Sequence, residues 1–466
     1  MDPFSFSNIW KLGLAGCFLL ALMLAILKSP RAALLALAAM IPLASLGVAE
    51  EAANNTDYRT WLLPLQERRT IMAAGCAGLL ALGVFAHAYR VNLRQTPLLG
   101  WVYLLQGIYM GMVSIIHGEE LGGGLTNGLT SIVFAIAISC SFMFFMSVVL
   151  KEWDDYLALV RALALGGALW TFVCTVQFFI NHQILITGTG KRFVGLSGNP
   201  QHAAGLSAAM AMIATWMVMN EPKKRWRPFW LFVAASHVVF VLWTGSRTGA
   251  LCTTAGMTAI FYARLGRAVL FAPLAVGAIL GLVAVATSMG VKFGFERLTS
   301  TQDTRSEVWS VLWTNAMQNP VFGLGATDAG ASENGFLYGF AAYGAVVPML
   351  LLLQLAMGGG LCLMLIRARS GAGELQKRMA DLCIGYLAMY WVGNMTEGYG
   401  IARMSPQVPL YLTFVCLAWN LVLKMREDAH AAAYPAEADG MLATSADQPA
   451  ADLSDGGDYS WYGRSA

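Results

Sequence analysis

The chain of 466 residues is 57% hydrophobic and only 12% charged, whereas soluble domains carry about a quarter charged residues. That balance excludes an ordinary soluble protein, and a formal net charge of +3 is too small to point to nucleic acid as a partner. The fold class expected is an all-α polytopic membrane protein.

The chain begins MDPFSFSN, without the basic stretch of a cleaved signal peptide, so the first apolar span is expected to be a retained helix. Apolar spans begin near Trp10, Ala32, Ile71, Leu98, Leu129, Tyr156, Ala203, Phe229, Ala250, Ala268, Gly344, Met379 and Val408. At about 20 residues each they give about 12–13 transmembrane helices. Basic residues occupy every second connection in the later half: Lys223, Lys224, Arg225 and Arg227; Arg264 and Arg267; Arg367, Arg369, Lys377 and Arg378; Lys424 and Arg426. By the positive-inside rule those connections are cytoplasmic. The alternate ones then face outward, namely residues 181–202, the short Gly245-Ser246-Arg247 turn, a long loop over 291–343, and 398–405. Residues 1–427 read as one transmembrane domain. Beyond Glu427 the composition shifts to Ala, Asp, Gly and Ser, and 428–466 is expected to be a disordered cytoplasmic tail.

The eight cysteines all fall in apolar segments without CxxC or Cys/His spacing, so they read as small buried hydrophobes. No metal site and no cofactor is expected from them, and the histidines form no ligand spacing with one another.

Chemistry is expected in the long outer loop, since a structureless stretch of that length within a compact domain is unusual without a function. Thr304 followed by Glu307 is a capping-box pattern. After it Val308, Trp309, Leu312, Trp313 and Ala316 recur at helical spacing, which predicts a short helix ended by Asn319-Pro320. Trp309 and Trp313 suit a membrane surface, either within the working loop or as simple interfacial anchors. The glycines at 323, 325 and 330 imply a tight backbone path delivering Glu333-Asn334 to a fixed place.

The outer face also collects Lys191-Arg192 and His202 at the two ends of KRFVGLSGNPQH, Arg247 in its short turn, and Arg305. Guanidinium groups grip phosphate oxygens in pairs and stay protonated, so Arg192, Arg247 and Arg305 suit a lipid-linked diphosphate whose head lies at that level. Snorkelling to the interface is the plainer role for Arg192 and Arg247. A carboxylate beside them, Glu333, can take the proton of an attacking sugar hydroxyl, with Asn334 positioning it or a sugar. Glu397 is a further substrate-binding expectation, because an acidic group near hydrocarbon is unfavourable unless paired or hydrated.

Four stretches in this order, RFVGLSGNPQHAAG, TGSRTGAL, TRSEVWSVLWTNAMQNPVFGLGA and SENGFLYGFAAYGAVVPML, resemble the bacterial O-antigen ligase and Wzy-type polymerase family. The likeness covers roughly residues 191–365. It implies a metal-independent, multi-spanning glycosyltransferase of the bacterial inner membrane. Such an enzyme uses undecaprenyl-diphosphate-linked oligosaccharide at the periplasmic face, among membrane lipid, with chain-length regulators and export proteins as partners. Ligases of the family carry histidine before the asparagine, where this chain has Glu333. That departure tilts the expectation toward an exopolysaccharide or O-antigen polymerase, with ligation to lipid A core as the alternative. A transporter or flippase of lipid-linked sugars, and a structural partner of an export complex, are the readings from other classes.

Overall fold

A computed structural model describes residues 29–45, 93–121, 123–186, 192–197, 199–266, 305–401 and 407–433, all of it helices and their connections apart from one isolated antiparallel bridge between Ile186 and Phe193. In chain order the helices are α1 (Pro30–Met40), α2 (Leu98–His117), α3 (Leu125–Val149), α4 (Trp153–Asn181), α5 (Pro200–Asn220), α6 (Arg227–Trp243), α7 (Arg247–Leu265), α8 (Arg305–Gln318), α9 (Gly335–Tyr343), α10 (Val346–Ala368), α11 (Glu374–Thr396) and α12 (Gln407–Ala433). Seven regions, containing α2, α3, α4, α5, α6, α10 and α12, are long and apolar enough to cross a membrane among the described residues. The chain is an all-α polytopic membrane protein.

The helix starts follow the local chemistry of the sequence. Ser29, Asn199, Ser246 and Asn334 each cap a helix with a side-chain oxygen, and Pro30 and Pro200 stand in first turns, where a missing N–H is harmless. At α4 the Asp155 carboxylate accepts from the backbone N–H of Glu152 at 3.0 Å, which closes a capping box.

The most enclosed helices are α5 and α12, while α6 and α10 lie at the periphery. Large apolar side chains such as Phe172, Phe179, Phe232, Met349 and Leu352 are exposed on the outer surface, as lipid-facing positions require. Helices α7 and α11 carry more small and polar residues than their neighbours, and they pack on each other and on α5. They cross at a glycine pair: a Cβ on Gly385 would stand 3.0 Å from the Gly256 carbonyl oxygen, so the two backbones are nearly in contact.

The spans expected near Trp10, Ile71 and Ala268 lie outside the described residues, as do Lys191, Thr304 and residues 291–304 of the outer loop. Two expectations are corrected. The span expected from Ala32 is, in its described part, an 11-residue helix that gives way at Ile41 to a 3-10 turn over Pro42–Ser45, because Pro42 cannot continue the ladder. The boundary after Glu427 also moves, since α12 runs on to Ala433. Asp428 accepts from Trp153 Nε1 at 3.1 Å and from Gln376 Nε2 at 3.0 Å, tying the start of the expected tail to α4 and α11. Of the cysteines, Cys174, Cys252, Cys383 and Cys416 are buried and Cys140 and Cys362 half-buried, all free; Cys17 and Cys76 lie outside the described residues.

Charges are segregated by end. Arg31 pairs with Asp155 at 2.9 Å, Arg161 with Glu221 at 3.1 Å and Arg369 with Asp381 at 2.9 Å. These pairs, with Lys223, Arg225 and Lys424, occupy the end where α4 and α11 start and α5, α10 and α12 finish. The opposite end carries the first turns of α5, α7 and α12 and the last turn of α11.

Candidate functional site

The site is assembled at that opposite end from three segments far apart in sequence. Arg305, the first residue of α8, directs Nη2 to Glu397 Oε1 at 3.1 Å and to Thr248 Oγ1 at 2.8 Å; the Thr248 hydroxyl in turn donates to Glu397 Oε1 at 3.2 Å. Three polar groups therefore close a ring in a region where Glu397 and Thr248 are almost inaccessible. Glu397 was expected only as a substrate-binding residue, and it stands at the centre of the arrangement.

The turn that carries Glu397 is held on all sides. Gly398 N–H donates to the Ser332 carbonyl at 2.8 Å, Gly400 N–H to Asn394 Oδ1 at 2.7 Å, Gln106 Nε2 to the Gly400 carbonyl at 2.9 Å and the Tyr399 hydroxyl to the Gln201 carbonyl at 3.1 Å. A carboxylate fixed in this way keeps its position with little reorganisation. Asn394, which in Asn394-Met395-Thr396 has the form of a glycosylation sequon, is fully buried and serves this turn.

Glu333 and Asn334 arrive beside it by way of the glycine path. Gly323, Gly325 and Gly330 have φ of +72°, +88° and +106°, as the expected tight path required. Asn334 caps α9 by accepting from the N–H groups of Phe336 and Leu337 at 2.9 and 3.0 Å, and its Nδ2 donates to the Met395 carbonyl at 2.9 Å. Its role in the structure is thus to fasten the start of α9 to the end of α11. Gly335 follows because a Cβ there would collide with Asn394 Oδ1. Glu333 is half-buried, and its Oε2 is enclosed without a hydrogen-bond partner among the described residues. An enclosed, unengaged carboxylate oxygen is free to receive a proton or a hydroxyl.

Arg192 reaches the same region from the 192–197 segment. Phe193 stacks between Phe240 and Trp243, with ring centroids 4.5 and 5.1 Å away, and its N–H donates to the Trp243 carbonyl at 3.2 Å. That stack presents Arg192 to the turn after α6, where its Nε donates to the Thr244 carbonyl at 2.6 Å. Arg247 is the first residue of α7 on the other side of this turn, half-buried and next in sequence to Thr248. His202 is half-buried in the first turn of α5, one residue after Gln201, whose side-chain oxygen accepts from Ser246 Oγ.

Burial pushes the Glu397 carboxyl up from the ordinary 4.5 to about 7; the Arg305 guanidinium and the Thr248 hydroxyl pull it down, the Glu333 carboxylate pushes it up and Arg192 pulls it down. Burial therefore outweighs the ion pair, and the ionised carboxylate is unfavourable for the fold. The folded-state value is above the unfolded one, so the group's stabilising contribution is complete below about pH 4.5 and is lost as pH rises through about 7. The size of the loss is on the order of 3 kcal/mol. Between about pH 5 and 8 the melting temperature is expected to fall with rising pH, and Glu397→Gln is expected to flatten that stretch in thermal scans of purified protein. An unchanged slope in the variant would remove Glu397 as its source.

The residues that the sequence did not single out are Thr248, Asn394, Tyr399 and Gln106. Their sequence signal was weak, a threonine after an arginine and polar side chains inside apolar spans, and each matters only through a partner distant along the chain. The short helix was expected as a membrane-surface element; in the folded protein Leu312 and Ala316 of α8 are buried in a second core with Ala341 and Tyr343 of α9, while Trp313 is exposed and meets Phe340 at 6.0 Å. Comparison with protein-family models gives no match to this chain, and none of the curated proteins matches it.

Proposed function

We propose that this protein is a membrane glycosyltransferase that polymerises polysaccharide repeat units. In this reading a glycan on undecaprenyl diphosphate is transferred to a sugar hydroxyl of another lipid-linked repeat. The observation that carries it is the meeting of Arg305 and Arg192 with two glutamates at one end of the bundle, one of which has an enclosed oxygen without a hydrogen-bond partner among the described residues. The resemblance of residues 191–365 to ligases and polymerases supports the same chemistry. On this reading the end carrying Glu397 faces the periplasm and the basic end faces the cytoplasm, in accord with the positive-inside rule.

The acceptor oxygen attacks the anomeric carbon of the donor sugar, forming the glycosidic bond as the bond from that carbon to the diphosphate oxygen breaks. The electron pair leaves with undecaprenyl diphosphate, whose developing charge Arg192, Arg247 and Arg305 offset. The acceptor proton passes to Glu333, since Glu397 Oε1 is already occupied by Arg305 and Thr248. Glu397 acts through Arg305, as a positioning residue.

Transport of lipid-linked sugars fits less well. Arg161, an ionisable residue within a span, is held by Glu221 through two hydrogen bonds of 3.1 and 3.3 Å toward the basic end, and Glu221 also accepts from Trp230 Nε1 at 3.2 Å. That leaves the cation fixed in a structural pair, unlike the hydrated midplane groups of transporters.

The test is an assay of purified protein with undecaprenyl-diphosphate-linked repeat units and a metal chelator, with products read by gel and mass. A ladder of lengthened lipid-linked glycan is expected. Product only after a lipid A-type acceptor is added would replace polymerase by ligase. Movement of lipid-linked sugar across vesicles without a new glycosidic bond would replace both by transport.

A further inference from the structure

The basic end of the bundle contains a cavity of about 510 Å³ between the last turns of α5 and α10, the body of α7 and the start of α11. It is far from the Glu397 site. Helix α11 has Glu374 at the cavity and Thr396 beside Glu397, and its 23 residues at about 1.5 Å each span roughly 34 Å.

One wall of the cavity is cationic, from Arg369, Lys377 and Arg378, and the other is apolar, from Trp216, Ile260 and Ile366. The cations are held apart and in place. Arg369 rests on the buried Asp381 at 2.9 Å, and Arg378 Nη1 donates to Asn220 Oδ1 at 3.1 Å, while the Arg378 carbonyl accepts from Trp216 Nε1 at 2.7 Å. The remaining acid, Glu374, is largely exposed and stands 3.6 Å from Lys377 and 3.7 Å from Arg378. Solvent-exposed pairs of that kind are weak and easily exchanged for a better anion. Three cations against two carboxylates leave the wall with one net positive charge. The first turn of α11 adds the favourable end of its dipole.

The apolar wall gives the anion a tail. Ile366 is exposed, and Leu363, one turn earlier on the same face of α10, is exposed as well, so an apolar track leads from the cavity onto the outer surface of the bundle. Tyr262 of α7, also exposed, lies one turn from the end of its helix at the level where aromatic side chains meet lipid head groups.

We propose that this cavity binds the phosphodiester head of an anionic phospholipid, with its acyl chains along Ile366 and Leu363. The single net positive charge of the wall matches the single charge of a phosphodiester, and the volume is within the range of small-ligand pockets, about 300–1,000 Å³. Free phosphate shares the head-group chemistry but has no use for the apolar track, which is why the lipid is the ligand assigned. The site is independent of the chemistry at Glu397.

The test uses full-length purified protein in mixed micelles holding equal amounts of phosphatidylglycerol and phosphatidylcholine, with retained lipid read by native mass spectrometry. Preferential retention of phosphatidylglycerol is expected, weakened about twenty-five-fold in a Lys377→Gln/Arg378→Gln variant at about fivefold for each cation. Ser370→Trp, which fills the cavity from a residue outside every ion pair, is expected to lose the lipid with all charges intact, so loss of binding is readable even where the double variant folds poorly. Equal retention of the two lipids, or phosphatidylglycerol retention unmoved by Ser370→Trp, would overturn the proposal. Binding of inorganic phosphate at the same residues without retention of phosphatidylglycerol would overturn it too, in favour of a soluble anion.

Discussion

Glu333→Gln is expected to lower turnover by roughly 10²- to 10⁴-fold while the protein inserts and melts as the parent does. Glutamine keeps the shape of the side chain and cannot take a proton. The backbone fixing it, with Asn334 bonded to Met395 and Gly398 to Ser332, involves no Glu333 side-chain atom. Loss of activity with an unchanged melting temperature thus separates proton transfer from structure. Polymer of normal length and yield would remove Glu333 from the reaction and leave the enclosed oxygen as a structural feature only. Glu397→Gln tests the other carboxylate on a different axis, since its stability profile changes with pH whether or not it takes part in the chemistry.

Arg305→Ala is expected to cost about 10²- to 10³-fold in turnover, as removal of one preorganised donor to a developing anion does, and Arg305→Lys is expected to restore little of it. A guanidinium presents several donors in a fixed plane. Arg305 Nη2 serves Thr248 and Glu397 together, a geometry that the planar fork fixes. The lysine ammonium is a compact charge on a flexible stem and cannot hold Glu397 and Thr248 in this geometry while also serving a diphosphate. Full rescue by lysine would show that Arg305 supplies only surface charge. Single-turnover measurements sharpen the distinction, because replacing a phosphate-holding residue slows the chemical step and replacing a mere anchor leaves it unchanged.

The apolar helical character of the chain and the alternation of basic connections were legible from residues alone, since each depends on composition or on groups a few positions apart. The helix over Arg305–Gln318 ends at Asn319-Pro320 as its spacing predicts, and the glycines before Glu333 have the positive φ that their spacing implied. Asn334 was legible as a site residue, though the folded chain uses it as a helix cap and a tie to Met395.

By itself the sequence determined that this chain is a bundle of apolar helices, which residues gather at each end of it, and that the long loop before α10 holds a short helix and a constrained turn. Only the tertiary structure decided that Thr248, Arg305 and Glu397 form one hydrogen-bonded ring, that Glu333 lies near it, and that Arg369, Lys377 and Arg378 line a cavity at the other end. The physical reason is that hydropathy and charge fix a residue's depth along the membrane normal, which is a one-dimensional quantity. Position within the plane is set by side-chain packing, here by close approaches such as Gly256 against Gly385 and Gly335 against Asn394, and partners 92 and 149 residues apart leave no local trace of their meeting.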